Sequence, residues 1–115
     1  MEAGPRILKI YQTATGAVPF LAWLQSLRAG RTRAVILARL ARVRLANMGN
    51  TRSVGEGVHE LKIDYGPGYR VYFGNDGPQL VILLNGGDKS TQDEDLATAK
   101  AYWQAYHKEH RSADY

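Results

Sequence analysis

Apolar positions keep one rhythm in the first half of the chain and another in the second. Arg6 to Gln12 (R-I-L-K-I-Y-Q) alternates loosely, as a strand does. A turn-rich gap, Thr13 to Gly16, follows. From Val18 to Leu27 the spacing becomes helical, with Phe20, Trp23, Leu24 and Leu27 sharing one face. Pro19 suits the first turn, where its missing amide donor costs nothing. Gly30 interrupts the run. A second helix is predicted over Arg31 to Asn47, with Ile36, Leu37, Leu40 and Val43 inward and Arg39 and Arg42 turned away. Met48-Gly49-Asn50 carries helix-stop chemistry.

Beyond residue 58 the period falls to two. His59 to Asp64, Tyr69 to Asn75 and Leu80 to Asn85 read as three consecutive strands. Their links, Tyr65-Gly66-Pro67-Gly68 and Asn75-Asp76-Gly77-Pro78, are turn sequences too short for anything but antiparallel neighbours. A last helix starts near Ser90 or Thr91, with Asp93, Glu94 and Asp95 favourable in its first turn. It runs on through Leu96, Ala99, Tyr102, Trp103 and Tyr106, and the tail from His107 to Tyr115 is expected to fray. Trp23 and Trp103 are the expected core anchors. The order β-α-α-β-β-β-α predicts a single α+β domain over residues 1–115, its helices packed on a small antiparallel sheet.

Composition narrows the classes of function. The chain has no cysteine, which excludes disulfides and thiolate metal sites and fits a reducing compartment. Met1 to Tyr11 lacks the basic and apolar regions of a signal peptide, and runs such as Leu80 to Leu84 are too short to cross a bilayer. A cytoplasmic protein is expected. Three scattered histidines offer no metal-ligand spacing, so neither metal nor cofactor is expected. The net charge of +4 conceals an asymmetry: no acid occurs from Ala3 to Gly55, where Arg6, Lys9, Arg28, Arg31, Arg33, Arg39, Arg42, Arg44 and Arg52 all fall. Such a block attracts polyanions or an acidic protein, and arginine suits bidentate phosphate contacts. Arg39, Arg42 and Arg52 are the candidate RNA-binding cations.

Strand alternation points to the chemistry. Tyr69, Val71 and Phe73 fall on one side of their strand, and Arg70 and Tyr72 on the other. Leu61 and Ile63 join the core, leaving Glu60, Lys62 and Asp64 outward, and the structural alternative for Arg70 is a partner for Glu60 or Asp64. Pairing across the Gly-Pro-Gly turn then brings Lys62, Arg70 and Tyr72 onto one open sheet face. The following loop, Gly86-Gly87-Asp88-Lys89-Ser90, brings Lys89 to the rim, with glycines that permit close approach of a ligand. Such a set suits cleavage of RNA by its own 2′-hydroxyl, which needs a base, cations on the phosphate and an acid for the leaving 5′ oxygen. Arg70 and Lys89 would neutralise the phosphate. Lys62 is the candidate base, since neighbouring cations would favour its neutral form. Tyr72 could donate a proton or stack on a base. His59 is the alternative acid or base. The Lys-Ser ending of the glycine loop lacks the first glycine of a nucleotide-binding loop, and no serine has a nucleophile-elbow context.

These segments carry a resemblance. His59-Glu60-Leu61-Lys62-Ile63, Gly66-Pro67-Gly68-Tyr69-Arg70-Val71-Tyr72-Phe73 and Leu83-Leu84-Asn85-Gly86-Gly87-Asp88-Lys89-Ser90-Thr91-Gln92 resemble the HigB-type branch of the RelE/ParE toxin superfamily. The likeness extends from Ile7-Leu8-Lys9-Ile10-Tyr11 through Phe20-Leu21-Ala22-Trp23-Leu24 to the last helix. It implies two N-terminal helices packed on one face of an antiparallel sheet. It also implies the toxin of a type II toxin–antitoxin system, an endoribonuclease needing no metal that cuts mRNA on the ribosome. The implied partners are the ribosome with its mRNA and a cognate helix-turn-helix antitoxin that neutralises the toxin in a hetero-oligomer. No membrane partner is implied. The superfamily's strand lysine falls on Lys62, its strand arginine on Arg70 and its later basic residue on Lys89. The C-terminal catalytic tyrosine of RelE-type members has no matching position; Tyr102 and Tyr106 stand on the last helix. Two other functions are compatible with the pattern: ParE-like inhibition of DNA gyrase, and a non-catalytic nucleic-acid-binding module.

Overall fold

The computed structural model describes residues 4–113, with side chains through residue 109. Its elements are β1 (Ile7–Ile10), α1 (Pro19–Ser26), α2 (Gly30–Arg44), β2 (Thr51–Gly55), β3 (Val58–Ile63), β4 (Tyr69–Asp76), β5 (Leu80–Asp88), a 3-10 turn (Lys89–Thr91) and α3 (Gln92–Ala113). The fold is α+β, with an open mixed sheet of five strands in the order β1-β5-β4-β3-β2. Two features correct the expected four-stranded antiparallel sheet. First, β1 runs parallel to β5, with Ile7 opposite Leu80 and Ile10 opposite Leu83. Second, β2 adds an edge strand. Its sequence, T-R-S-V-G, has too little apolar alternation to announce itself. What makes it a strand is the turn that follows: Glu56 and Gly57 both take positive φ, 55° and 83°, the geometry that closes a two-residue hairpin.

The sheet buries both faces. Phe20 and Leu24 of α1 and Ile36, Leu40 and Val43 of α2 lie with Leu61, Ile63, Val71, Phe73, Val81 and Leu83 on one side. On the other, Ala99 and Trp103 of α3 cover Val58, Tyr72, Ile82 and Leu84. Each tryptophan sits over a strand glycine, Trp23 on Gly86 and Trp103 on Gly74, where a Cβ would overlap the indole. Gly86 and Gly87 are therefore buried inside β5 and occupied by protein, rather than part of a ligand-accessible loop; the Asp95 carboxylate lies against Gly87.

Helix ends differ from expectation by a few residues. The second helix stops at Arg44, three residues before Asn47, because Ala46 adopts a left-handed conformation (φ 66°). Asn47 N then donates to Arg42 O (2.9 Å) and Ala46 N to Val43 O (2.9 Å), a Schellman closure built without glycine. Leu37, expected inward, is half exposed. At the other end of the chain α3 continues to Ala113, so the tail is helical that far, and residues 114–115 lie outside the described ones. The aromatic series Trp103, Tyr106 and His107 holds this segment, with the His107 ring edge-on to Trp103 at 4.3 Å. Among the described residues no helix is long and apolar enough to cross a membrane.

A candidate anion-binding cleft

The β3–β4 pair assembles the site. Its register sets Lys62 opposite Arg70 and Glu60 opposite Tyr72, so all four point to the side on which α3 packs. Opposite Tyr72, strand β5 carries one extra residue at Leu84 before Leu83 pairs with Phe73. This bulge turns Asn85 toward α3, where its side-chain amide donates to Asp95 O (3.1 Å). The face expected to be open is thus divided. α3 covers the Tyr72 part, and a cleft of about 250 Å³ remains beside it, lined by Asn50, Arg52, Glu60, Lys62 and Arg70.

Glu60 organises the cleft. Its side chain is 2% exposed, yet it carries a charge and has three partners. Arg52 Nε lies 3.1 Å from Oε1, Arg70 Nε lies 3.6 Å from Oε2, and Gln92 Nε2 donates to Oε2 at 3.3 Å. A buried charge survives only when it is paired in this way. Arg70 is itself buried; among the described residues its Nη1 lacks a hydrogen-bond partner and its Nε has only the long contact to Glu60. Three cations share the cleft with one carboxylate. The arrangement leaves a guanidinium with donor capacity to spare, beside an exposed ammonium, facing a polar recess. Its chemical fit is to an anion with several acceptor oxygens.

The other expected site residues do not join this cleft. His59 lies one residue from Glu60, so strand alternation sends it to the opposite face. There it stacks on Phe73, with centroids 5.4 Å apart, and burial pushes its imidazole pKa below the ordinary value. It cannot serve as acid or base beside Lys62. Tyr72 is on the right face but fully buried beneath α3, so it cannot stack on a base. Burial, reinforced by the negative charge of Glu60 and Asp95, raises its phenol pKa far above the usual value. Lys89 lies in the turn after β5, its amide bonded to Gly68 O (3.1 Å), and lines a separate recess with Asp93 and Glu94. Arg39 and Arg42 belong to α2, across the sheet; of the three candidate RNA-binding arginines only Arg52 reaches the cleft. Tyr102 and Tyr106 also stay away. Tyr102 packs on Tyr11, and Tyr106 Oη donates to Asp76 Oδ2 (2.7 Å); burial and that carboxylate push the Tyr106 phenol up to about 12.

Sequence reasoning assigned no site role to Asn50, which stood only as helix-stop chemistry, or to Gln92, which lay only within the resembling segment. Glu60 stood as an outward charge and, like Asp64, as a structural partner for Arg70; the structure pairs Arg70 with Glu60. The hydrogen bond from Gln92 and the ion pair with Arg52 depend on how β2 and α3 close around Glu60, which no local pattern encodes.

Comparison with known proteins yields one informative likeness. An uncharacterized protein of Haemophilus influenzae is 52% identical over 81 residues, which span 70% of this chain and 82% of that protein. No protein-family model matches the chain, and no solved structure matches it. At that identity and coverage, the chain belongs to the same family as this uncharacterized Haemophilus influenzae protein.

Proposed function

We propose that this chain is the toxin of a type II toxin–antitoxin pair, an endoribonuclease that cleaves mRNA on the ribosome and is held in check by a cognate helix-turn-helix antitoxin. The observation that carries the reading is Arg70: a buried guanidinium, fixed by Glu60, with an unsatisfied Nη1 beside Lys62 and Arg52. In the proposed reaction Arg70 and Arg52 seat the scissile phosphate and offset the charge that grows on it. The 2′-hydroxyl attacks the adjacent phosphorus and the bond to the 5′ oxygen breaks, leaving a 2′,3′-cyclic phosphate. Lys62, exposed at the mouth and in register with Arg70, takes the 2′ proton once it has lost its own to solvent, and a solvent water protonates the leaving 5′ oxygen. A guanidinium already desolvated and oriented needs no reorganisation as charge develops, which is why such groups are effective in transition-state stabilisation.

The test is induced expression of the wild type beside Lys62→Ala and Arg70→Lys, with primer extension on a translated message. The expected result is growth arrest with new, translation-dependent breaks, lost in both variants. Lys62 is exposed, so its variant keeps the fold. Growth arrest with intact messages overturns the ribonuclease and leaves gyrase inhibition. RNA retained without any cleavage product leaves a binding module.

A further inference from the structure

The basic block and the cleft are largely on different sides of the molecule. Of the nine cations between Ala3 and Gly55, Arg52 alone lines the cleft, while Arg31, Arg33, Arg39, Arg42 and Arg44 belong to α2. That helix buries Thr32, Ile36, Leu40 and Val43 against the sheet. With 3.6 residues per turn, its diametrically opposite face is Ala34, Leu37, Ala38, Ala41 and Leu45, all exposed. Leu37 is 50% and Leu45 75% exposed, and they stand about 12 Å apart along the axis. A helix facing water carries its charges on the outermost positions. Here those positions are apolar and the arginines stand on the shoulders, Arg31 and Arg42 on one side and Arg44 on the other. None of these three has an acidic partner among the described residues.

We infer that this face of α2 docks an acidic amphipathic helix of a partner protein. Ala34, Ala38 and Ala41 let a second backbone approach closely, and Leu37 and Leu45 supply the apolar ends of the contact. Apolar side chains of the incoming helix, spaced three, four and seven residues apart, fill the space between those leucines. Its Asp and Glu residues meet Arg31 and Arg42 on one shoulder and Arg44 on the other. Charge decides against two other occupants. A second copy of α2 would set arginine against arginine, and like charges across a contact are repulsive. A nucleic acid needs cations and donors at the centre of its contact, and this surface has methyl groups there. The inference does not rest on the reading of the cleft, which lies across the sheet, so either can fail alone.

The experiment titrates the full, isotope-labelled chain with a synthetic helix of about 20 residues, leucine on one face and glutamate on its shoulders. A twin with lysine for every glutamate and a single-stranded RNA serve as competitors. The glutamate helix is expected to bind, to shift amide signals from Ala34 to Leu45, and to weaken as salt rises. Leu37→Asp with Leu45→Asp should lose about tenfold or more in affinity, a change of about 1.4 kcal/mol. Arg31→Glu with Arg42→Glu should transfer preference to the lysine twin. All four side chains are exposed, and an unchanged melting midpoint verifies the fold of each variant. Equal binding of the two twins, shifts confined to another face, or tighter RNA binding at α2 would each overturn the inference. So would a dimer of the chain alone that Leu37→Asp dissolves.

Discussion

Replacing Glu60 by leucine removes the carboxylate on which the cleft is built, and the structure sets the size of the effect. Glu60 and Arg70 have side-chain exposures of 2% and 9%, so neither charge can turn to water when its partner is lost. Breaking a buried pair from one side costs about 3–5 kcal/mol, because the remaining charge stays desolvated and unpaired. Arg52 shares the same carboxylate at 3.1 Å but is 67% exposed. Its replacement by alanine should cost about 1 kcal/mol or less, the range of exposed ion pairs. Urea unfolding with linear extrapolation measures each variant, and a constant slope would show that the denatured state is unchanged. Replacing both buried partners, Glu60→Leu with Arg70→Met, should cost less than the sum of the single losses by about 2 kcal/mol. Inorganic phosphate should recover part of the Glu60→Leu loss by taking the carboxylate's place on Arg70. A loss below about 1 kcal/mol for Glu60→Leu, or equal losses for Arg52→Ala and Arg70→Met, would refute this account of the cleft.

Two further outcomes follow from packing and titration. Gly74→Ala should destabilise the chain by about 1–3 kcal/mol, because the new methyl overlaps Trp103. Combination with Trp103→Phe should recover part of that loss, with near-UV circular dichroism reporting whether α3 stays docked. His59 has a pKa depressed below 6.5 by burial, so as pH falls below 6.5 the unfolded chain takes up this proton first. The stability contributed by the neutral ring is present above 6.5 and is lost as pH falls through the folded value. His59→Gln should flatten the dependence of the melting midpoint on pH in that range, and an unchanged slope would contradict the burial of His59 against Phe73.

What the chain declares by itself is what local periodicity can carry. The helical spacing of Phe20, Leu24, Ile36 and Leu40 and the alternation in Tyr69-Arg70-Val71-Tyr72-Phe73 predict both helices, the central strands and, Leu37 apart, the face these apolar side chains take, because burial rewards those periods directly. The turn residues at Gly66-Pro67-Gly68 then bring Lys62 opposite Arg70. Tertiary structure decided the rest. Whether a strand face is open depends on what lies over it, and the placement of α3 on Gly74 and Val58 removed Tyr72 from solvent while leaving Arg70 at a recess. Edge strand β2, whose one large apolar side chain is Val54, gains its place from a tight turn, from packing of Val54 on the α3-side core and from contacts to α3 such as Glu56 Oε2 with Lys100 Nζ (3.4 Å). The parallel seat of β1 follows from the path of the two helices between it and the rest of the sheet. The buried charge of Glu60 is the clearest case. A carboxylate in an alternating strand reads as an outward charge, and only the convergence of β2, β4 and α3 supplies the arginines and amide that let it stay inside.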